Sequence, residues 1–211
     1  MRSACSAVLL GLCVGTAEIA EAKGPPALFE TREIRSERLT VFPKWRNALA
    51  RASAESRPSG EPCEPGPFRG CELRQWAAFL NTLRGTGRRG QIEAVNRYMN
   101  RRAYILDPVN CGVIDYWAAP GQFLRRNGDC EDYAIAKFLS LRALGFANAN
   151  LRVVVLQDTN LGIAHAVLAV YVKDDILILD NQVADVVPAR AIGHYRPIYS
   201  INETSWWLHR S

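Results

Sequence analysis

The chain changes character near residue 145: segments with helical periodicity precede this point, and short runs of β-branched residues follow it. In the first part, apolar residues recur three and four positions apart, which predicts amphipathic helices at 39–54, 73–83 and 91–100. In the second part, strands are predicted at 151–156, 164–172, 176–180, 184–187 and 195–201. Helices followed by a sheet are typical of an α+β domain, so this is the predicted fold class.

One more helix is predicted at residues 130–144, just before the strand-forming part of the chain. Asp129 is a typical N-cap residue, Asp132 lies in the first turn, and Gly145 is typical of the position just beyond a helix end. The stretch 107–120 between this helix and the earlier ones is expected to be irregular.

The composition is that of a folded protein. Of the 211 residues, 48 % are hydrophobic and 22 % are charged, which excludes a disordered, collagen-like or polytopic membrane chain. A chain of this length can bury a core without help from disulfides. Residues 24–37 are expected to be extended and loop-like, and the Pro- and Gly-rich residues 57–70 are expected to form a loop.

The first residues predict a secretory signal peptide. Arg2 gives a basic start, residues 3–17 are small and apolar, and Ala20 and Ala22 form an A-x-A-like cleavage site. The apolar run is short for a membrane-spanning helix, which needs about 20 residues. We therefore expect removal of residues 1–22 on export, which would leave one periplasmic domain; a buried N-terminal helix is the alternative.

Two cysteines of the mature chain bracket a Pro- and Gly-rich loop. Cys63 and Cys71 are close enough in sequence for a short-range disulfide in an oxidising compartment, and two unpaired thiols are the alternative. The net charge of +5 is spread over several helices and forms no basic stripe, so we expect no nucleic-acid partner.

Cys130 is the candidate nucleophile. It begins the helix at 130–144, where unpaired backbone N–H groups and the helix dipole are expected to lower the pKa of a thiol. The chain has three histidines. His209 lies at the end of the chain and His194 in a predicted loop, so His165, at the start of a predicted strand, is the candidate base.

Asp180 is the candidate third member of this site, because it interrupts an otherwise apolar strand. If residues 172–175 connect the two strands, Asp180 lies opposite Val167, on the same face as His165 and about 7–8 Å from it. A tighter turn at 174–175 would move Asp180 two residues further away. A buried carboxylate needs a partner such as an imidazole N–H, and this pattern predicts a nucleophile–base–carboxylate triad. A core histidine beside a strand-end aspartate is the alternative.

Several motifs in order resemble those of the bacterial transglutaminase-like cysteine peptidases, the family of the LapG-type proteases. Residues 127–134 (NGDCEDYA) resemble the G-D-C-E-D-Y motif, and residues 115–124 resemble D-x-W-x-x-P-x-E-F-L. The H-A-V-L and L-D-N motifs match residues 165–168 and 179–181. The likeness extends over residues 27–207, with Gln122 where the family usually has Glu.

The resemblance implies a papain/transglutaminase-like fold, in which a Cys-bearing helix packs on an antiparallel sheet, and a catalytic triad of Cys130, His165 and Asp180. It also implies a periplasmic, calcium-dependent endopeptidase that cuts the N-terminal region of a large cell-surface adhesin near paired alanines. Such cleavage releases the adhesin and disperses biofilm. An inner-membrane LapD-type receptor for cyclic di-GMP would control the enzyme.

The calcium requirement also has a basis in the residues. Asp129, Glu131 and Asp132 place three carboxylates around Cys130, and their charge would raise the pKa of its thiol. A divalent cation would reverse the sign of the local charge. We therefore expect these three residues and Asp115 to include the calcium ligands; charges that only complement the helix dipole are the alternative.

The oxyanion donors and the acyl acceptor follow less directly from the residues. The backbone N–H of Cys130 is one expected donor, and Trp117 or Gln122 is expected to supply the second. A transglutaminase would use the same triad to transfer an acyl group to an amine. A non-catalytic periplasmic binding module and a cytosolic thiol enzyme are further alternatives.

Overall fold

The computed structural model of the protein describes residues 27–55 and 71–210. The predicted signal peptide lies outside these residues, so its removal stays a prediction. Cys71 is disulfide-bonded, but Cys63 lies outside the described residues and the pairing of the two also stays a prediction. Among the described helices, none is long and apolar enough to cross a membrane.

Most of the described helices precede the central part of the sheet. They are α1 (Pro43–Glu55), α2 (Cys71–Leu83), α3 (Arg88–Met99), α4 (Asp107–Asn110), α5 (Pro120–Arg126) and α6 (Cys130–Ala143). The four longer predicted helices are confirmed with small shifts at their ends. The expectation of irregular structure at 107–120 is wrong for α4, and α5 was not predicted. Both helices have a proline in their first turn, and both are too short to show a period.

The strands form one antiparallel sheet in the order β1-β7-β6-β2-β3-β4-β5. They are β1 (Arg32–Ser36), β2 (Leu151–Asp158), β3 (Ile163–Val172), β4 (Asp175–Leu179), β5 (Val187–Pro188), β6 (Tyr195–Ile201) and β7 (Trp206–Arg210). The predicted strands at 151–156, 164–172, 176–180 and 195–201 are confirmed. The strand predicted at 184–187 is wrong except at Val187, which begins the two-residue strand β5, and β1 corrects the expected loop at 24–37.

The sheet separates two apolar layers. Leu168 and Val170 of β3 face the helices and share a core with Ala134 and Phe138 of α6. The alternate residues of β3, such as Val167, contribute to a second core on the other face. Helix α6 is buried on nearly every side, between the sheet and helices α3 and α5. Its position is therefore fixed by packing along its whole length.

The hairpin of β3 and β4 has the first of the two predicted registers. Tyr171 pairs with Ile176, and Leu168 pairs with Leu179. Asp180 directly follows β4, so this register brings it opposite Val167 as predicted. The turn therefore places Asp180 and the start of β3 at the same end of the hairpin.

Gly128 allows the chain to turn tightly into α6. It forms a parallel bridge with Tyr104, and its carbonyl accepts the N–H of Ile105 at 2.9 Å. A Cβ at this position would lie 2.1 Å from Oδ2 of Asp132. No side chain larger than hydrogen fits there without moving Asp132, so Gly128 determines how closely α6 approaches the preceding loop.

Replacement of Gly128 by alanine should destabilise the protein by about 1–3 kcal/mol, because the new methyl group would overlap the Asp132 carboxylate. The matched control is Gly90→Ala in α3, where an added Cβ meets no atom within 4 Å. Alanine is the better helix former by about 0.5–1 kcal/mol, so this control should be neutral or stabilising. Urea unfolding followed by circular dichroism measures both. Equal stability of the two variants would contradict this account of Gly128.

Candidate active site

Packing of α6 on β3 brings Cys130 next to the start of that strand. Cys130 is half-buried at the first turn of α6, and a hydrogen bond from the backbone N–H of Ala166 reaches it. Ala166 directly follows His165 in the chain. The Cys130 thiol itself donates to Oε2 of Glu131 at 3.3 Å. The candidate nucleophile and the candidate base therefore lie on adjacent elements that contact each other.

His165 and Asp180 form a buried hydrogen-bonded pair. Nε2 of His165 lies 2.9 Å from Oδ1 of Asp180, and the two residues are only 2 % and 1 % exposed. A carboxylate only accepts hydrogen bonds, so Nε2 carries the proton and Nδ1 keeps a free lone pair. Nδ1 lies 3.5 Å from the side-chain nitrogen of Gln182, at the outer limit of a hydrogen bond. This tautomer makes Nδ1 the nitrogen that can accept a proton.

Two further donors keep Asp180 ionised. The Tyr195 hydroxyl donates to Oδ2 at 2.5 Å, and the backbone N–H of Gln182 donates to Oδ1 at 2.9 Å. Burial alone would raise the pKa of Asp180, but the hydrogen bond and charge of His165, with these two donors, bring the pKa below its ordinary value. Tyr195 was not predicted, because a tyrosine in a strand is ordinary and nothing in the sequence links it to Asp180.

The surroundings of Cys130 do not favour a thiolate. Burial raises the pKa of the thiol, the charge and hydrogen bond of Glu131 raise it further, and so does the charge of Asp129. The N–H of Ala166 acts in the opposite direction. Burial and the adjacent carboxylates therefore act against the lowering of this pKa that the helix start predicts. The expected effect of the carboxylates is confirmed.

The carboxylates form two groups that share one residue. Asp107, Asp115 and Glu131 place oxygens within 4.8 Å of one another, and Asp107, Asp129 and Asp132 do the same. The structure thus brings together the four residues predicted as metal ligands. Asp107 was missed, because an aspartate before a proline at a helix start is an ordinary pattern. We call these five residues the acidic cluster.

Two buried oxygens of the acidic cluster lack a donor. Oδ1 of Asp107 and Oδ1 of Asp129 are buried without a hydrogen-bond partner among the described residues. Other oxygens of the cluster accept backbone N–H groups: Oδ2 of Asp107 accepts the N–H of Tyr116, and Oδ1 of Asp132 accepts the N–H of Ala118 at 2.6 Å. Carboxylate oxygens are hard ligands, and buried ones without a donor fit a hard cation such as calcium or magnesium.

The charge of the acidic cluster is poorly compensated by the protein. Burial, followed by the charge of Asp129, raises the pKa of Glu131 to about 9. Burial and neighbouring carboxylates raise the pKa of Asp132 to about 8. Asp115, the exposed member, forms an ion pair with Lys44. The buried members of the cluster have no such cationic partner among the described residues.

The two predicted oxyanion donors lie close to α5. The side chain of Gln122 donates to the Tyr116 hydroxyl at 2.9 Å, and its oxygen accepts from the backbone N–H of Ala119 at 3.0 Å. Gln122 therefore caps the first turn of α5, as a glutamate also could. Trp117 is buried in the helix-side core, edge-on to Trp45. The oxyanion role of both residues stays a prediction.

Comparison with known proteins identifies similar chains. A family model described as bacterial transglutaminase-like cysteine proteinase matches residues 69–209. Calcium-bound LapG from Legionella pneumophila is 30% identical, with a TM-score of 0.62 over 77% of this chain and 86% of that chain. EGTA-treated LapG from the same organism is 29% identical, with a TM-score of 0.63 over 79% and 86%. No curated protein matches the chain. The fold likeness confirms the predicted transglutaminase-like architecture.

The raised pKa of Asp132 predicts that the stability of the protein in EGTA depends on pH. Its carboxyl titrates near 4 when unfolded and at about 8 when folded, so the folded state binds the extra proton in between. The wild type should therefore lose stability relative to Asp132→Asn as the pH rises from about 4 to about 8. Urea unfolding at several pH values measures this difference. The control, Asp174→Asn in an exposed turn, should show no such trend, and a difference for Asp132→Asn that does not change with pH would contradict the prediction.

Proposed function

The chain belongs to the bacterial transglutaminase-like cysteine proteinases, and from this premise we propose that it is a calcium-dependent cysteine endopeptidase with Cys130 as its nucleophile. The single observation that carries the proposal is the buried hydrogen bond of 2.9 Å between His165 and Asp180, at the strand start against which α6 presents Cys130. A buried imidazole with an ionised partner on one nitrogen and a lone pair on the other suits a general base.

In the proposed reaction, the Cys130 side chain leaves Glu131 and turns towards Nδ1 of His165, which takes the thiol proton. Asp180 and Tyr195 hold the imidazole in place and stabilise its charged form. The thiolate attacks the peptide carbonyl, and the backbone N–H of Cys130 donates to the oxygen that becomes negative. The imidazolium then gives its proton to the leaving amine. Water, deprotonated by His165, hydrolyses the acyl-enzyme and restores the thiol.

The acidic cluster is the proposed calcium site. Its residues fit the ion, because two buried oxygens, on Asp107 and Asp129, have no donor within residues 27–55 and 71–210, and the remaining ligand atoms are carboxylate oxygens. A bound calcium ion would supply the positive charge that the cluster lacks and would hold the start of α6 against α4. The existence of calcium-bound and EGTA-treated forms of the similar Legionella protein supports this proposal.

The proposed substrate is the N-terminal region of a large cell-surface adhesin, cut near paired alanines. Leu106, Val109 and Ile114 are exposed apolar residues within α4 or beside it in the chain. Helix α4 lies next to the start of α6, so these side chains suit the binding of an uncharged peptide segment. The periplasmic location, the release of the adhesin and the control by a LapD-type cyclic di-GMP receptor belong to the same proposal, and their support is the resemblance of the motifs.

The proposal is tested with a tagged N-terminal adhesin fragment that contains paired alanines. The wild type in calcium should yield two fragments, and EGTA should stop the reaction. Cys130→Ala should lower the rate by about 10⁴-fold or more, because it removes the nucleophile. The matched control is Cys111→Ser, which alters the other free thiol of the described residues and should keep the wild-type rate.

Three results would contradict the proposal. Cleavage by Cys130→Ala would exclude this nucleophile. Attachment of an added amine to the fragment, without a second fragment, would identify an acyltransferase. No reaction by folded wild type with this fragment in calcium would indicate a binding module or a peptidase for another substrate.

A further inference from the structure

A lysine without a partner is buried in the middle of α6. Lys137 is 0% exposed, and its Nζ has no hydrogen-bond partner among the described residues. It lies two turns after Cys130, about 10 Å along the helix axis. The ring of Tyr133 has its centre 5.7 Å from Nζ. A buried amine without an acceptor is strongly disfavoured, so this position requires an explanation.

Three buried acceptors also have no hydrogen-bond partner in the part of the chain that the structure describes. They are the side-chain oxygens of Asn96, Asn100 and Asn181. Asn96 lies in the last turn of α3, which packs against α6, and Asn100 is the C-cap of that helix. Asn181 follows Asp180 in the chain. An amino group has up to three donors, and an amide oxygen accepts hydrogen bonds. The unpartnered donor and the unpartnered acceptors therefore complement each other chemically.

The asparagines of α3 already hold the chain that follows β4. The side-chain nitrogen of Asn100 donates to the carbonyl of Asp180 at 2.8 Å, and that of Asn96 donates to the carbonyl of Ala184 at 3.0 Å. Asp180 also acts electrostatically on Lys137. Burial lowers the pKa of Lys137, the charge of Asp180 partly opposes this, and the resulting pKa is about 7. The chain that follows β4 is thus bonded to Asn96 and Asn100, and it contains the charge that acts on the buried lysine.

We propose that Lys137 is a positioning residue: its amino group donates through bridging water to the side-chain oxygens of Asn100 and Asn181. These bonds fix residues 180–184 to the helix that carries Cys130, and so hold the Asp180 carboxylate in place behind His165. The catalytic consequence rests on the proposed peptidase function, whereas the structural link does not.

Packing alone does not account for this residue. A methionine has nearly the same length and would fill the space without the cost of burying an amine. A lysine that served only as a spacer would therefore be replaceable by methionine without loss of activity. A lysine that positions residues 180–184 would not, because methionine offers no donor to the amide oxygens.

The test compares Lys137→Met with Lys173→Met, a matched change in the exposed β3–β4 turn. In Lys137→Met, backbone amides of residues 180–184, including the Gln182 N–H that bonds Asp180, should exchange with deuterium about tenfold faster. The kcat for the adhesin fragment should fall about tenfold with KM unchanged, because Asp180 acts on the chemical step. The melting temperature should stay equal or rise. Lys173→Met should behave as the wild type.

A double-mutant cycle with Asn100→Leu tests the link itself. If Lys137 acts through Asn100, the effect of Lys137→Met on exchange in residues 180–184 should shrink several-fold when Asn100 is already leucine. In the folded wild type labelled with ¹⁵N-lysine, a slowly exchanging Nζ–H signal should be present, and it should be lost in Asn100→Leu. This signal tests the link even if Lys137→Met fails to fold.

Three results would overturn the inference. The first is that residues 180–184 of Lys137→Met exchange at the wild-type rate. The second is that exchange in this variant increases uniformly throughout the helices. The third is that Lys137→Met has an undiminished effect in the Asn100→Leu background. The exchange measurement needs no substrate. Absence of cleavage by the wild type would therefore refute the proposed function without affecting this test.

Discussion

The arrangement of the site depends on carboxylates that accept backbone N–H groups at the start of α6. Asp132 accepts the N–H of Ala118, and Asp107 accepts the N–H of Tyr116 while its own N–H donates to Asp129 at 3.3 Å. These bonds attach the segment between α4 and α5 to the helix that carries the nucleophile. They use one oxygen of Asp107 and leave the other buried without a donor. The same residues therefore shape the loop and create an excess of negative charge.

This excess charge explains why the helix dipole does not determine the chemistry of Cys130. The dipole favours negative charge at a helix start, but here buried carboxylates already lie there, and they raise the pKa of the thiol. The proposed base, His165, is already oriented, because Asp180 accepts hydrogen bonds from its imidazole, from the Tyr195 hydroxyl and from a backbone N–H. The proposed enzyme therefore has a fixed histidine and a nucleophile whose ionisation depends on what neutralises the acidic cluster.

The parts of the structure that were predictable have local causes. Helices α1, α2 and α3 show apolar periodicity, and α6 is marked by residues typical of its two ends. The β3–β4 register is one of the two that the sequence left open, and it brings Asp180 opposite Val167. Asp107 and Tyr195 were missed because their residue types are ordinary at a helix start and in a strand, and no hairpin register links them to their partners. Strands β1 and β7 pair with each other at a sheet edge, and the half-buried residues of β1 show no alternation. Only the assembled sheet defines them.

The most direct test of the central claim, that a cation at the acidic cluster enables Cys130 to react, is the rate at which iodoacetamide alkylates Cys130. Mass spectrometry of the peptide that contains Cys130 follows this rate at neutral pH, in calcium and in EGTA. The account predicts alkylation about tenfold faster or more in calcium, because compensating the carboxylates favours the thiolate, and little difference in Asp107→Asn. Equal rates for the wild type in calcium and in EGTA would contradict it.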